Sequence, residues 1–143
     1  MKGLIDTNIL VYATDEESRL HKKAKLFLED SISKETARFC PQVFNEFFNV
    51  LSSGSNKKLR YEEIKSTLSF YKKKFEHLMI YPKDRTYKKS IDIAIKNKVR
   101  KNGKIFDIYL AQTALDNLIT TVYTHNAKDF SLVKGVKCKI PPS

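Results

Sequence analysis

Short apolar runs alternate along this chain with longer segments whose apolar residues recur every three or four positions, and no other feature constrains the fold as much. Parallel strands cannot be joined by a tight turn; they need a crossover, which a helix supplies. Residues 3–6 read as a strand entering a turn, and residues 8–13 as a short helix. The spacing of Leu20, Ala24, Phe27 and Leu28 predicts a helix over 19–33. A second strand at 37–40 is stopped by Pro41, and a helix follows over 42–51 with Val43, Phe44, Phe47, Phe48 and Leu51 as its apolar face. Helices over 61–76 and 87–99 bracket a strand near 78–81 that Pro82 ends. The segment 104–117 is a helix so apolar that both sides must be covered, with Ala111 and Ala114 allowing close approach. Strands at 120–124 and 136–138 complete an α/β chain. No repeat, low-complexity tract or Pro/Gly linker divides it, and Ser52 to Asn56 reads as a helix stop and loop, so one domain over 1–143 is expected.

Charge narrows the partners. The 27 Lys and Arg outnumber the 16 Asp and Glu, giving +11. Residues 57–75 carry +5 and 83–104 carry +7, which leaves −1 for everything else. A basic segment is usually a solvated face, but a surplus this large points to a polyanion, nucleic acid above all. The longest uncharged stretch, 117–127, is far too short to span a membrane. Asp6 follows the first residues too closely for a secretory signal. Two cysteines, Cys40 and Cys138, make no disulfide framework or zinc quartet, so a cytoplasmic chain with reduced thiols is expected. The four scattered glycines form no phosphate-cradling loop.

Three carboxylates stand out from this background. Asp6 sits where the first strand ends, and in an open parallel sheet the carboxyl ends of the strands border the ligand crevice. Ahead of Thr7 and Asn8 it also suits a helix N-cap, and the sequence leaves both roles open. Glu46 shares one helical face with Gln42, Asn45 and Asn49. That face lacks the Lys or Arg a solvated surface of this chain would show, since none occurs from Phe39 to Asn56. Asp107 opens the most apolar helix, where an unpaired buried carboxylate would cost several kcal/mol. The helix dipole returns only about 0.3–1 kcal/mol of that. A cation, either a basic side chain or a metal ion, is therefore expected beside it. Three acids on three elements, without clustered His or Cys, suit a hard cation, Mg²⁺ or Mn²⁺, and metal-assisted phosphodiester hydrolysis with one ion or two. The three histidines, His21, His77 and His125, have no neighbours that suggest a nucleophile triad. Asn8, where a haloacid-dehalogenase-type phosphatase would carry Asp, argues against that class.

Ile5-Asp6-Thr7-Asn8-Ile9-Leu10, then Pro41-Gln42-Val43-Phe44-Asn45-Glu46-Phe47-Phe48-Asn49-Val50-Leu51, then Phe106-Asp107, then Thr124-His125-Asn126-Ala127-Lys128-Asp129-Phe130 follow one another in an order and spacing that resemble the PIN-domain nucleases, and among them the VapC-like toxin branch. The resemblance implies a three-layer α/β/α fold with a parallel sheet of four to five strands. It implies a Mg²⁺- or Mn²⁺-dependent endoribonuclease, dimeric and held inactive by a cognate antitoxin. By position, Asp6, Glu46 and Asp107 match the metal-binding acids, with Thr7 or Asn8 and Thr124 supporting them. The family's fourth acid falls at Asn126, which brings no charge, and Asp129 stands three residues later. Either the second metal binds weakly or Asp129 takes over; Asn126 or Asp129 orients water. Lys98, Arg100, Lys101 and Lys104 are the expected RNA contacts. Two other readings are a PIN-like nucleic-acid binder with little or no catalysis, and an interaction module for an acidic protein. The stripe Tyr61, Ile64, Leu68, Tyr71 and Phe75 could be core, dimer seam or antitoxin groove; core is the commoner outcome.

Overall fold

The computed structural model describes residues 1–53, 59–100 and 103–141. Within these residues four parallel strands, β1 (Gly3–Ile5), β2 (Ala37–Arg38), β3 (Thr121–Tyr123) and β4 (Lys137–Lys139), lie in the order β2-β1-β3-β4. Among the described residues six helices flank them: α1 (Thr7–Thr14), α2 (His21–Ser33), α3 (Pro41–Ser53), α4 (Tyr61–Phe75), α5 (Thr86–Lys96) and α6 (Lys104–Asp116). The chain leaves β1 through α1 and α2 to reach β2 on one side, then crosses back through α3 to α6 to reach β3 on the other. Right-handed crossovers running in opposite directions put helices on both faces, which is the three-layer α/β/α arrangement. The reversal leaves a switch point between the carboxyl ends of β1 and β3, the place where such sheets bind ligands.

All three residues of β1 are buried, as expected of a strand covered on both faces. Gly3 is required by close approach: a Cβ there would stand 2.4 Å from Cε2 of Tyr123 on the neighbouring strand. Pro41 opens α3 at a position whose N–H would have no helical partner. An aromatic cluster of Phe39, Phe47, Tyr71 and Phe75 fills the space between β2, α3 and α4.

Two local expectations change. The strand near 78–81 is a single parallel bridge between Phe39 and Met79, preceded by a 3-10 turn over Glu76–Leu78. Phe39 N donates to Leu78 O at 3.1 Å and Ile80 N to Phe39 O at 2.7 Å, but Pro41 has no N–H to carry the ladder further. The apolar face of α3 is also narrower than its sequence: Val43, Phe47 and Leu51 are buried, Phe44 is half-buried, and Phe48 is 43% exposed. At about 100° per residue, Phe48 lies roughly 100° from the centre of the 43–47–51 line. It borders a surface hollow with Tyr61, Ile64 and Leu68 of α4. The α4 stripe is core at Ile64, Tyr71 and Phe75 and exposed at Tyr61. In the loop expected at 52–56, Ser52 and Ser53 finish α3, and Gly54, Ser55 and Asn56 lie outside the described residues.

Candidate active site

A cleft of about 420 Å³ opens at the switch point, bordered by Asp6, Thr7, Asn8, Glu46, Asp107, Asn126 and Asp129. Four segments supply these residues. The end of β1 places Asp6, the polar face of α3 places Glu46, the first turn of α6 places Asp107, and the 3-10 turn Ala127–Phe130 after β3 places Asp129.

Asp6 caps α1 and also borders the cleft, and both of its oxygens are held by hydrogen bonds. Oδ1 accepts the Thr7 amide at 2.7 Å and caps α1; Oδ2 accepts the Thr124 hydroxyl at 2.7 Å and an Asn8 Nδ2 hydrogen at 3.3 Å. Asn8 Nδ2 also donates to Thr124 Oγ1 at 3.2 Å, and Thr124 Oγ1 accepts the Asn126 amide at 2.9 Å. One hydroxyl thereby joins the end of β3 to both candidate fourth-position residues' loop and to Asp6. Glu46 is held at both oxygens: the Thr7 hydroxyl donates to Oε2 at 2.8 Å and Gln42 Nε2 donates to Oε1 at 2.8 Å.

Electrostatics mark the cleft as a concentrated negative site. Burial pushes the Asp6 carboxyl up to about 6; hydrogen bonds from Thr124 and Thr7 oppose this, while Glu46 and Asp129 add to it. Burial pushes Asp107 up to about 7, helped by Asp129, Asp6 and Glu46 and opposed by Lys104. Among the described residues, no basic side chain pairs with any of the four acids. The cation expected beside Asp107 is thus not a paired side chain, although Lys104 lies close enough to act on its charge. His125 stacks edge-on against Tyr12, and burial lowers its pKa.

No three acidic, His or Cys side chains among the described residues form a ready-made group that could hold a metal ion. The donor set nevertheless suits Mg²⁺ or Mn²⁺. It is all hard oxygen and uncompensated in charge, and Mg²⁺ keeps several waters and binds through one or two carboxylates instead of an all-protein cage. Sequence reasoning placed Gln42 on the polar face of α3 without giving it a part. Its i, i+4 spacing from Glu46 points to the bond between them but not to the one Gln42 Nε2 makes with the Phe106 carbonyl.

Of the expected RNA contacts, Lys104 begins α6 one turn from Asp107, and Arg100 lines the same hollow as Lys104. Lys98 is exposed at the end of α5, and Lys101 lies outside the described residues.

A parallel α/β sheet with acids that have no paired basic side chain among the described residues gathered at its switch point defines a class of α/β domain with an acidic cleft where such sheets bind ligands. Comparison makes this specific: the chain belongs to the PIN domain family, whose model matches residues 3–136. No curated protein matches the sequence. Solved structures with the same fold include VapBC2 from Rickettsia felis bound to a DNA fragment from its promoter, at 20% identity and TM-score 0.70, covering 98% of each chain. VapBC-1 from nontypeable Haemophilus influenzae matches at 19% identity and TM-score 0.66, covering 98% of each. VapC20 from Mycobacterium tuberculosis, a sarcin–ricin-loop-cleaving toxin, matches at 9% identity and TM-score 0.66, covering 90% of this chain and 92% of its own.

Proposed function

We propose that this chain, as one PIN-like domain over residues 1–143, is a Mg²⁺- or Mn²⁺-dependent endoribonuclease. It hydrolyses RNA phosphodiester bonds in the cytoplasm as the toxin of a toxin–antitoxin pair. The observation that carries this is the convergence of Asp6, Glu46, Asp107 and Asp129 on one cleft with no paired basic side chain among the described residues. Membership of the PIN family, and the fold shared with VapBC proteins and with an RNA-cleaving VapC20, support RNA as substrate and a toxin's role.

In this mechanism Asp6, Glu46 and Asp107 would hold the ion, and Asp129, the largest influence on Asp107 after burial itself, would supply the fourth charge. When bound, such an ion lowers the pKa of water and offsets charge on phosphoryl oxygens. Thr124, Asn8 and the Thr7 amide fix the Asp6 carboxylate, and the Thr7 hydroxyl fixes Glu46. With its carboxyl pushed up to about 7, Asp107 would release its proton to solvent on holding a divalent cation, so the cation would bind more tightly as pH rises. Asn126, exposed at the rim, orients water through its side-chain oxygen. Lys98, Arg100, Lys101 and Lys104 contact the RNA phosphates. The partners are RNA, a cognate antitoxin protein and a second copy of the chain in a homodimer, with no membrane.

The test is RNA cleavage with Mg²⁺ or Mn²⁺ by wild type and by Asp107→Asn. The expected outcome is metal-dependent cleavage that falls by about 100-fold or more in the variant. Cleavage in chelator, or an unimpaired variant, would overturn the assignment. RNA binding that weakens steeply with salt but yields no product would make the chain a PIN-like binder instead. Growth arrest on expression, relieved by Asp107→Asn, separates a toxin from a housekeeping nuclease.

A further inference from the structure

We propose that Gln42 is a positioning residue: its amide, held between Glu46 and the backbone of α6, fixes the Glu46 carboxylate and ties α3 to the segment that carries Asp107. The inference rests on the nuclease reading above and names a residue that orients its metal-binding set.

The geometry is specific. Gln42 Nε2 donates to Glu46 Oε1 at 2.8 Å and to the Phe106 carbonyl at 2.8 Å. The first bond is local, one helical turn apart; the second reaches across 64 residues to the carbonyl immediately before Asp107. The other Glu46 oxygen accepts the hydroxyl of Thr7, the residue immediately after Asp6. One carboxylate is therefore pinned at both ends, by the neighbour of one proposed ligand and by an amide bonded to the neighbour of another. Glu46 is half-buried, and without these bonds its three side-chain torsions would let it swing out of the cleft.

The amide can face only one way. Turned over, Gln42 Oε1 would meet a carboxylate oxygen and a carbonyl oxygen, two acceptors with no donor between them. The orientation that donates to both leaves Oε1 buried with no hydrogen-bond partner among the described residues. Buried unsatisfied acceptors are uncommon and cost stability. The stranded acceptor is the cost of directing both N–H groups at Glu46 and the Phe106 carbonyl.

Gln42→Met removes the donor and the stranded acceptor together while keeping length and volume. Three measurements are needed: the melting temperature of the metal-free protein, Mn²⁺ affinity by calorimetry, and kcat and KM for RNA cleavage with Mn²⁺. The expected variant melts at or above the wild-type temperature, binds Mn²⁺ about 10-fold or more weakly, and loses about 10–100-fold in kcat with KM little changed. Thr7→Val, which removes the other bond to Glu46, is expected to act in the same direction. The double variant is expected to lose less than the product of the two losses, because both act on one carboxylate. Unchanged Mn²⁺ affinity and kcat in Gln42→Met would overturn the proposal, as would a rise in KM alone, which would make Gln42 an RNA contact. Should Gln42→Met not fold, Gln42→Leu supplies the same comparison. Wild-type protein that cleaves nothing with any metal defeats the nuclease reading, while the Mn²⁺ affinities of wild type and variant still decide the positioning role.

Discussion

Asp6 and Asp107 are carboxylic acids that the fold keeps from ionising freely, and the cost of ionising them sets how stability responds to pH. With Asp6 raised to about 6 and Asp107 to about 7, the native state binds more protons than the unfolded chain between about pH 4 and 7. Through these two acids the stability of the metal-free protein falls as pH rises through that window, while His125, whose pKa burial lowers, acts in the opposite direction. Asp107→Asn removes one of the two charges. It should melt above wild type at pH 8 in chelator, by about 3 °C for each kcal/mol gained, and level with wild type at pH 4. Adding Mn²⁺ at pH 8 should stabilise the wild type and not the variant; thermal melts at both pH values with and without the ion decide this. These acids were legible in the sequence because each is a charge embedded among apolar residues. Gln42 was not, since Gln42, Asn45 and Asn49 look alike until the backbone shows that one of them reaches the Phe106 carbonyl.

Among the elements, the helix ends show what glycine scarcity conceals. Three helices stop in the same way, with a left-handed residue just past the end that is not glycine: Glu35 at φ 54° after α2, Lys98 at 53° after α5 and Leu118 at 62° after α6. In each, the amide of the next residue turns back to a helix carbonyl: Thr36 to Ser31, Val99 to Ala94 and Ile119 to Ala114, all at 2.9 Å. This is a Schellman closure whose usual glycine is missing. A side chain in that conformation costs roughly 1–2 kcal/mol. Leu118 is 91% exposed, so its side chain returns little by packing. Leu118→Gly should accordingly stabilise the protein by about 1 kcal/mol, read as a rightward shift of the urea midpoint with unchanged slope. Sequence periodicity located these helices to within a few residues because it reports the buried face. It overextended the segment 78–81, because alternating burial of Leu78 and Ile80 looks the same for one bridge as for a strand.

At the scale of the whole molecule, the fold divides the basic surplus that runs together in the sequence. Thr86 and Lys89, at the start of α5, bond to Asp116 at the end of α6, with distances of 2.6 and 2.8 Å. Asp116 lies nine positions after Asp107, about 14 Å along the helix. The segment 83–104 therefore starts far from the acidic cleft and ends beside it, with Arg100 and Lys104 at the near end and Lys83 and Lys88 at the far end. Arg100→Glu with Lys104→Glu should weaken RNA binding and flatten the dependence of log K on log salt by about 1.4. Lys83→Glu with Lys88→Glu, the same change in net charge, should leave both within error. Fluorescence anisotropy with an RNA oligonucleotide across a salt series compares the two, and equal losses would mean that net charge alone governs binding. The sequence by itself determined the parallel α/β class, the order of the helices and the identity of the acids, because burial patterns and isolated charges are local properties of the chain. Tertiary structure alone decided that Asp129 joins the cleft, that Gln42 bridges α3 to α6 and that Lys104, at one end of the basic segment, lies close enough to act on the charge of Asp107. Each of these depends on where two distant stretches of backbone meet, and no local pattern encodes that distance.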